Sequence, residues 1–240
     1  MTKLIISFAG HKGSGKNTAA DLLKGKFGDK VVNTIAIAKP LKLACQDAFN
    51  FPLDIFEDQV RKELPYKHVV PTLRQLELFL SHFNSGSGSV GLSKEACELV
   101  LKMDITTPRE LLQQMGMLAR IVHGQDIHVK TAIPMDKLAD VTLVTDLRFV
   151  NEYDYLSKGN DFKDSGYLMY PKPPIHVPLF IYNERAIANT DNHVSEQDYK
   201  NFMGKCYRVD NNTDSLVELE KELLRVLRVA YKDKGLICEF

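Results

Sequence analysis

The residues best suited to chemistry form a glycine-rich run near the start of the chain. Residues 10–18 read GHKGSGKNT and match the pattern G-x-x-x-x-G-K-[ST] except at its last position, where Asn17 replaces Ser or Thr. Glycines let backbone N–H groups turn inward around an anion, and the lysine adds a point charge for the outer phosphates. We therefore predict a phosphate-binding loop whose contacts come from Gly10, Lys12, Gly13, Ser14, Gly15, Lys16, Asn17 and Thr18.

Asn17 bears on what such a loop could do. The hydroxyl usual at this position holds Mg²⁺. A carboxamide oxygen could instead orient a metal-bound water, and Thr18 supplies a hydroxyl one residue further on. Two alternatives stay open on these residues, a catalytic site that uses Mg²⁺ and a module that binds a nucleotide without turnover.

A carboxylate follows the apolar run at 141–145. Asp146 ends this strand-like segment, and Arg148 and Glu152 come just after it. In proteins with such glycine loops, an acid at the end of a strand can face bound Mg²⁺ or a polar substrate group. We therefore predict that Asp146 binds metal or substrate. The alternative is an ordinary aspartate in a turn.

Basic and amide side chains cluster in a predicted helix that begins near Pro108. Arg109 and Gln113 are four residues apart and share a face, and Arg120 follows on the same helix. A guanidinium and an amide on one face could grip a phosphate and a base edge. Lys42 lies one turn into the helix after the second predicted strand. The alternative for each is a solvated side chain on an exposed helix face.

Residues 185–196 form a polar stretch without apolar periodicity after the fourth predicted strand. Such a stretch could be a lid that closes over transferring phosphates, with Arg185 stabilising their charge. A plain surface loop is the alternative.

The elements that must position these residues follow from the hydrophobic pattern. Apolar runs of strand length occur at 4–9, 31–38, 141–145, 179–182 and 206–209, with helical patterns between them. The runs are continuous rather than alternating, as expected for strands covered on both faces. We therefore predict an α/β fold with a central parallel sheet of about five strands flanked by helices.

The domain organisation is predicted to be a single domain, residues 1–240. A mostly helical substrate lobe is expected at about 50–106, interrupted by the Gly/Ser-rich loop 84–91, and a lid at about 183–200. Thr107 before Pro108 predicts the start of one helix, and Ser215 with Glu218 matches the pattern of a capping box for the last one. Leu216, Leu219, Leu223 and Leu227 then repeat at helical spacing.

Composition limits the partners. The chain has 31 basic and 31 acidic residues, which gives no argument for nucleic acid or an anionic membrane as a partner. Its four cysteines are dispersed and no zinc site is expected. We expect no membrane span and a cytoplasmic, reducing location. An apolar-rich inserted lobe could supply the surface of a homodimer.

Taken together, these motifs resemble those of the deoxynucleoside monophosphate kinases of tailed bacteriophages, within the P-loop nucleoside monophosphate kinase superfamily. Asn17 stands where that family often has Asp, and Asp214 stands where it usually has Gly. The similar segments are 10–18, 38–42, 109–116, 128–130, 146–152, 193–196 and 209–216.

The resemblance implies a P-loop kinase fold and transfer of the γ-phosphoryl group of ATP, with Mg²⁺, to a deoxynucleoside monophosphate in the cytoplasm, or the host cytoplasm for a phage protein. The implied catalytic residues are Lys16, Asp146, Arg148 and Arg185, and Asn17 and Asp146 are the implied metal residues. Asn211 is implied to lie at the adenine ring of ATP. The implied substrate-binding residues are Lys42, Arg109, Gln113, Arg120, Asp146, Glu152, Ser195 and Glu196.

Two alternatives to this kinase remain open. One is another small-molecule kinase with the same loop, of the phosphomevalonate or dephospho-coenzyme-A type. The other is the non-catalytic nucleotide-binding module, although the chain lacks the Asn-Lys-x-Asp signature of GTPase switches.

Overall fold

The computed structural model describes residues 2–83, 92–158, 173–187, 198–213 and 215–237. Ser195, Glu196, the loop at 84–91 and most of the predicted lid lie outside the described residues. The chain divides into two compact units. The sheet unit comprises Met1–Ile37 and Ile133–Phe240, and the helical unit, Ala38–Ala132, contains the predicted lobe at 50–106.

The sheet unit is built on five parallel strands in the order β2-β3-β1-β4-β5. The strands are β1 (Leu4–Ala9), β2 (Val32–Ile35), β3 (Val141–Val144), β4 (Ile175–Tyr182) and β5 (Tyr207–Asp210). The predicted α/β class with a parallel sheet of about five strands is confirmed.

Ten α-helices occur among the described residues. They are α1 (Lys16–Leu23), α2 (Lys39–Phe49), α3 (Leu53–Glu57), α4 (Leu73–Ser81), α5 (Lys94–Leu101), α6 (Pro108–His123), α7 (Ile127–Ala132), α8 (Val150–Lys158), α9 (Glu184–Ile187) and α10 (Leu216–Asp233). The helical unit holds α2 to α7, and the sheet unit holds the other four.

Strand burial explains the sequence pattern. All six residues of β1 are buried, because β1 lies between β3 and β4 and both sheet faces are covered. The prediction for the second strand was too long, since β2 covers only Val32–Ile35 of the predicted 31–38. Beyond it, the Ile37 N–H group donates to Asp146 Oδ1 at 2.6 Å instead of extending the ladder.

The fourth strand begins earlier than predicted. β4 starts at Ile175, and the prediction missed its first four residues because His176 and Pro178 interrupt the apolar run in the sequence. Pairing of β4 with β5 begins at Leu179, so Pro178 stands just before that ladder.

The terminal helix α10 packs on α1 and β5 through a buried stripe. Leu219, Leu223 and Leu227 are buried as predicted, whereas Leu216 is 58% exposed and lies outside the stripe. Ser215 caps the helix, since its side chain accepts the N–H group of Glu218 at 3.3 Å.

The helical unit has a core of its own, to which α2, α4 and α6 contribute most of the buried side chains. Helix α6 begins as predicted, with a capping box between Thr107 and Glu110 and Pro108 in its first turn. Gly116 lets α2 approach α6, because a β-carbon there would lie 3.2 Å from Leu41 Cδ2. No helix within the described ranges is both long and apolar enough to cross a membrane.

Candidate functional site

The glycine loop lies at the carboxyl end of the central strand. It joins β1 to α1, and β1 has β3 on one side and β4 on the other. The chain goes from β1 to β2 and β3 on one side, then to β4 and β5 on the other. The carboxyl end of β1 is therefore the topological switch point, where open parallel sheets bind ligands.

Two glycines of the loop are required by close approaches. Gly10 has φ +142°, and a β-carbon there would lie 2.5 Å from the carbonyl oxygen of Ile181. Gly15 has φ +96°, and a β-carbon there would lie 2.5 Å from Asn211 Nδ2. Both positions combine a positive φ with a lack of space. A larger residue would shift the backbone at Gly10, and at Gly15 it would displace the Asn211 side chain or the loop.

Asn211 braces the loop from the segment after β5. Its Nδ2 donates to the carbonyl oxygen of Ser14 at 2.8 Å. Its own backbone is held on both sides, because its N–H group donates to Tyr182 O at 2.8 Å and its carbonyl accepts from Asn183 Nδ2 at 2.6 Å. The family resemblance implies that Asn211 contacts ATP, whereas this structural role of its side chain was not predicted.

Lys16 folds back over the loop. Its Nζ donates to the carbonyl oxygens of Gly10 at 2.8 Å and His11 at 2.7 Å. The carbonyl of His11 also accepts the N–H group of Ser14 at 3.1 Å. The ammonium group is therefore held against the backbone carbonyls of the loop.

Ser14 carries a hydroxyl that the fold leaves unsatisfied. Its side chain is fully buried, and Oγ has no hydrogen-bond partner in the part of the chain that the structure describes. An unmet buried hydroxyl costs about 1–3 kcal/mol. Gly15 next to it has no side chain to cap α1, whereas Asn17 and Thr18 are exposed in the first turn. This end of α1 is suited to an anion.

Asp146 lies beside the carboxyl end of β1. It follows β3 directly after Thr145, and the next residue, Leu147, donates its N–H group to the carbonyl of Phe8 in β1 at 3.2 Å. The carboxylate is half-buried, and Oδ1 holds the N–H group of Ile37. Asp146 thus belongs to the same edge of the sheet as the glycine loop.

Glu152 has a structural role at this edge. It is 4% exposed, and Oε2 accepts the N–H groups of Arg148 at 2.9 Å and Phe149 at 3.1 Å. Asp198 Oδ2 accepts the next N–H group, that of Val150, at 2.8 Å. These bonds fix the turn that carries Arg148, a role of Glu152 that the sequence did not predict. Its contact with a substrate stays a prediction.

An aromatic cluster that the sequence analysis did not predict contacts the loop at His11. His11 is 7% exposed, and its Nε2 lies 2.8 Å from the hydroxyl of Tyr199. The Tyr199 ring stacks on Phe180 of β4 with centroids 5.4 Å apart. Tyr199 therefore connects the 198–201 segment to the glycine loop.

A second buried histidine lies within the sheet. His176 of β4 has Ser7 Oγ 2.7 Å from Nε2 and Ser157 Oγ 2.8 Å from Nδ1. Burial, with a smaller effect of Lys234, lowers the pKa of His176 to about 3. The ring is therefore neutral at pH 7, and its two nitrogens share the two hydroxyls as donor and acceptor.

Four of the predicted substrate residues belong to the helical unit. Lys42 on α2 is paired with Glu57, and Arg109 on α6 is paired with Glu63. Gln113 and Arg120 are half-buried on α6. The glycine loop, Asp146, Arg148, Glu152, Arg185 and Asn211 belong to the sheet unit.

Arg185 is exposed on the short helix α9, immediately after β4. The side chain of Asn183 orders this turn, because its Oδ1 accepts the N–H group of Ala186 at 3.2 Å. The described residues contain no group of three or more His, Cys, Asp or Glu side chains that could hold a metal ion. Mg²⁺ bound with phosphates uses only one or two protein carboxylates, so such a group is not needed.

No protein-family model matches this chain, and no curated protein shows significant similarity to it. A function for the chain therefore depends on its own residues and their geometry.

Proposed function

We propose that this chain is a P-loop kinase that transfers the γ-phosphoryl group of ATP to a deoxynucleoside 5′-monophosphate. The observation that supports this most is the glycine loop at the carboxyl end of the central strand. There the buried Ser14 hydroxyl makes no hydrogen bond to any described residue, and the Lys16 ammonium lies at the loop's mouth. A phosphate chain would accept a hydrogen bond from the Ser14 hydroxyl. It would also replace the backbone carbonyls as the partner of the Lys16 ammonium group.

The donor phosphates would suit this loop by charge. Lys16 Nζ would exchange its two carbonyl partners for phosphate oxygens, which are stronger acceptors because they are charged. The first N–H groups of α1 point out of the helix end and add the positive end of its dipole. Asn211 keeps the loop in shape through its bond to Ser14 O.

Asp146 and Asn17 are the residues that would hold Mg²⁺. Asp146 offers a half-buried carboxylate at the sheet edge, and Asn17 offers an exposed amide in the first turn of α1. When bound, Mg²⁺ neutralises charge on the donor oxygens and leaves positioning to the protein. Oxygen donors of this kind suit Mg²⁺.

The transfer itself needs little proton chemistry. An oxygen of the acceptor phosphate attacks the γ-phosphorus, and the bond from that phosphorus to the bridging oxygen of ADP breaks. The attacking oxygen is already ionised near neutral pH, so catalysis consists of positioning and charge neutralisation. Arg148 and Arg185 would offset the charge of two phosphate chains brought together.

The acceptor class rests on the helical unit and on the family resemblance. Lys42 and Arg109 are the cations proposed to hold the monophosphate, and Gln113 lies on the same face of α6 as Arg109 and would meet the base. A kinase for another small phosphorylated acceptor and a non-catalytic nucleotide-binding module remain the competing proposals.

An acceptor panel tests the proposal. Purified protein with ATP and Mg²⁺ would be offered dTMP, dGMP, dCMP, dAMP and modified pyrimidine nucleotides, beside phosphomevalonate and dephospho-coenzyme A. We expect ADP release that depends on at least one deoxynucleotide and matches the diphosphate formed. ADP release with only the other acceptors, or ATP binding without release on any acceptor, would contradict the proposal.

A further inference from the structure

Two cations of the helical unit are each held by a carboxylate from one short segment. Lys42 Nζ donates to Glu57 Oε1 at 2.7 Å. Arg109 donates twice to Glu63 Oε1, from Nε at 2.7 Å and from a terminal nitrogen at 2.5 Å. Glu57 ends α3, and Glu63 lies in the 3₁₀ turn at Arg61–Glu63 that follows it.

The cations are the fixed partners of these pairs. The side chains of Lys42 and Arg109 are each 17% exposed, whereas Glu57 is 62% exposed and Glu63 is 38% exposed. Lys42 follows Leu41, which packs against Gly116 of α6. Lys42 and Arg109 therefore belong to two helices, α2 and α6, that pack on each other. The carboxylates can therefore swing into water, while the cations stay in place.

The segment that carries both carboxylates is ordered by bonds of its own. Asp58 Oδ1 accepts the N–H groups of Val60 at 2.8 Å and Arg61 at 2.9 Å. Arg61 in turn pairs with Asp54 at 2.8 Å. The backbone between Glu57 and Glu63 thus keeps its turn without help from Lys42 or Arg109, so loss of the two ion pairs leaves the segment formed.

We propose that Glu57 and Glu63 are internal counter-anions, which a phosphomonoester dianion displaces from Lys42 and Arg109 when it binds. This inference rests on the proposed function, because it deepens the acceptor site. Each carboxylate is partly exposed, and a phosphate oxygen would take its place on the cation, so the exchange costs little. A dianion that contacts both cations would replace both carboxylate charges, whereas a monoanion would replace only one of them.

The test is a titration that does not depend on turnover. The Nε–H signal of Arg109, assigned by its loss in Arg109→Lys, would be followed by NMR in the full-length protein at pH 8. The probes are inorganic phosphate, a dianion at this pH, and dimethyl phosphate, a monoanion. The variants are Glu57→Gln, Glu63→Gln and the double variant, with Asp54→Asn as a control that removes a carboxylate of the same segment from the Arg61 pair.

We expect phosphate to bind the single variants roughly two- to fivefold more tightly than wild type, with a larger gain in the double variant and none in Asp54→Asn. Dimethyl phosphate should bind more weakly than phosphate throughout. Equal phosphate affinity in wild type and both single variants would overturn the proposal, and so would equal binding of the two probes. Because all substituted carboxylates are partly exposed, we expect the single variants to fold. They therefore provide the test even if the double variant unfolds.

The phosphate titration and the turnover assay test the counter-anions and the kinase proposal separately. A gain in phosphate affinity without turnover on any acceptor would support the counter-anions and contradict the kinase. Turnover on a deoxynucleotide with unchanged phosphate affinity would do the reverse.

Discussion

Asn211 Nδ2 donates to the carbonyl oxygen of Ser14 at 2.8 Å and occupies the space that a side chain on Gly15 would need. Asn211 and Ser14 are 197 positions apart in the chain. The Asn211 side chain nevertheless holds the shape of the glycine loop and leaves room only for glycine at position 15.

The first prediction separates this contact from backbone strain. Gly13 and Gly15 both have positive φ, but a β-carbon at Gly13 would meet nothing within 4 Å. Alanine costs about 1–2 kcal/mol at such backbone angles. We expect Gly15→Ala to lower the free energy of unfolding in urea by more than Gly13→Ala does. Adding Asn211→Ala should reduce that difference, and equal losses in both glycine variants would refute the contact.

The second prediction concerns Tyr199. Tyr199→Phe keeps the ring on Phe180 and removes the hydroxyl from His11, so the loop loses one buried hydrogen bond. We expect a loss of about 0.5–1.5 kcal/mol in the free energy of unfolding. ATP affinity measured by calorimetry should also fall, because the Tyr199 hydroxyl holds His11 and with it the loop whose backbone N–H groups are proposed to bind the phosphates. Tyr153→Phe, at the ring that stacks on Phe202, is the control, and an ATP affinity unchanged in Tyr199→Phe would exclude this role.

The third prediction concerns the acceptor. Gln113→Ala should raise the KM for the deoxynucleoside monophosphate far more than the KM for ATP, because the amide is proposed to meet only the acceptor base. Gln114→Ala, on the neighbouring face of α6, should change neither. Equal increases in both KM values would remove Gln113 from the acceptor site.

The fourth prediction is a dependence of stability on pH. Burial lowers the pKa of His176 to about 3 and that of His128 to about 4, against an ordinary value of 6.5. Below pH 6.5 the unfolded chain therefore binds protons that the folded chain does not. Each histidine contributes stability that is complete above pH 6.5 and is lost as pH falls toward its folded pKa.

Urea unfolding between pH 7 and pH 4 checks this sign. The loss should approach about 1.4 kcal/mol per pH unit for each buried histidine. His176→Gln should remove part of the slope. A His176→Gln slope equal to that of wild type would contradict the assignment.

Local patterns predicted much of this fold. The continuous apolar run of β1 and the Thr107-Pro108 start of α6 follow from neighbours in sequence, and both were predicted correctly. The glycine loop was placed between a strand and a helix for the same reason.

The features that were missed depend on contacts distant in sequence. Tyr199 meets His11 across 188 positions, and neither residue carries a pattern that marks the pair. The early start of β4 was hidden because His176 is polar, and only its bonds to Ser7 and Ser157 let it be buried there. The carboxylates opposite Lys42 and Arg109 were likewise invisible, since nothing local assigns Glu57 or Glu63 to them.

The most direct measurement of the central claim follows the γ-phosphoryl group. ATP labelled with radioactive phosphorus at the γ position would be incubated with Mg²⁺, the four deoxynucleoside monophosphates and the protein, and the products separated by chromatography. We predict that the label moves into a deoxynucleoside diphosphate, that Lys16→Ala slows this by about 10²-fold or more, and that Lys24→Ala does not. Label that stays in ATP, or that appears only in inorganic phosphate, would contradict the account.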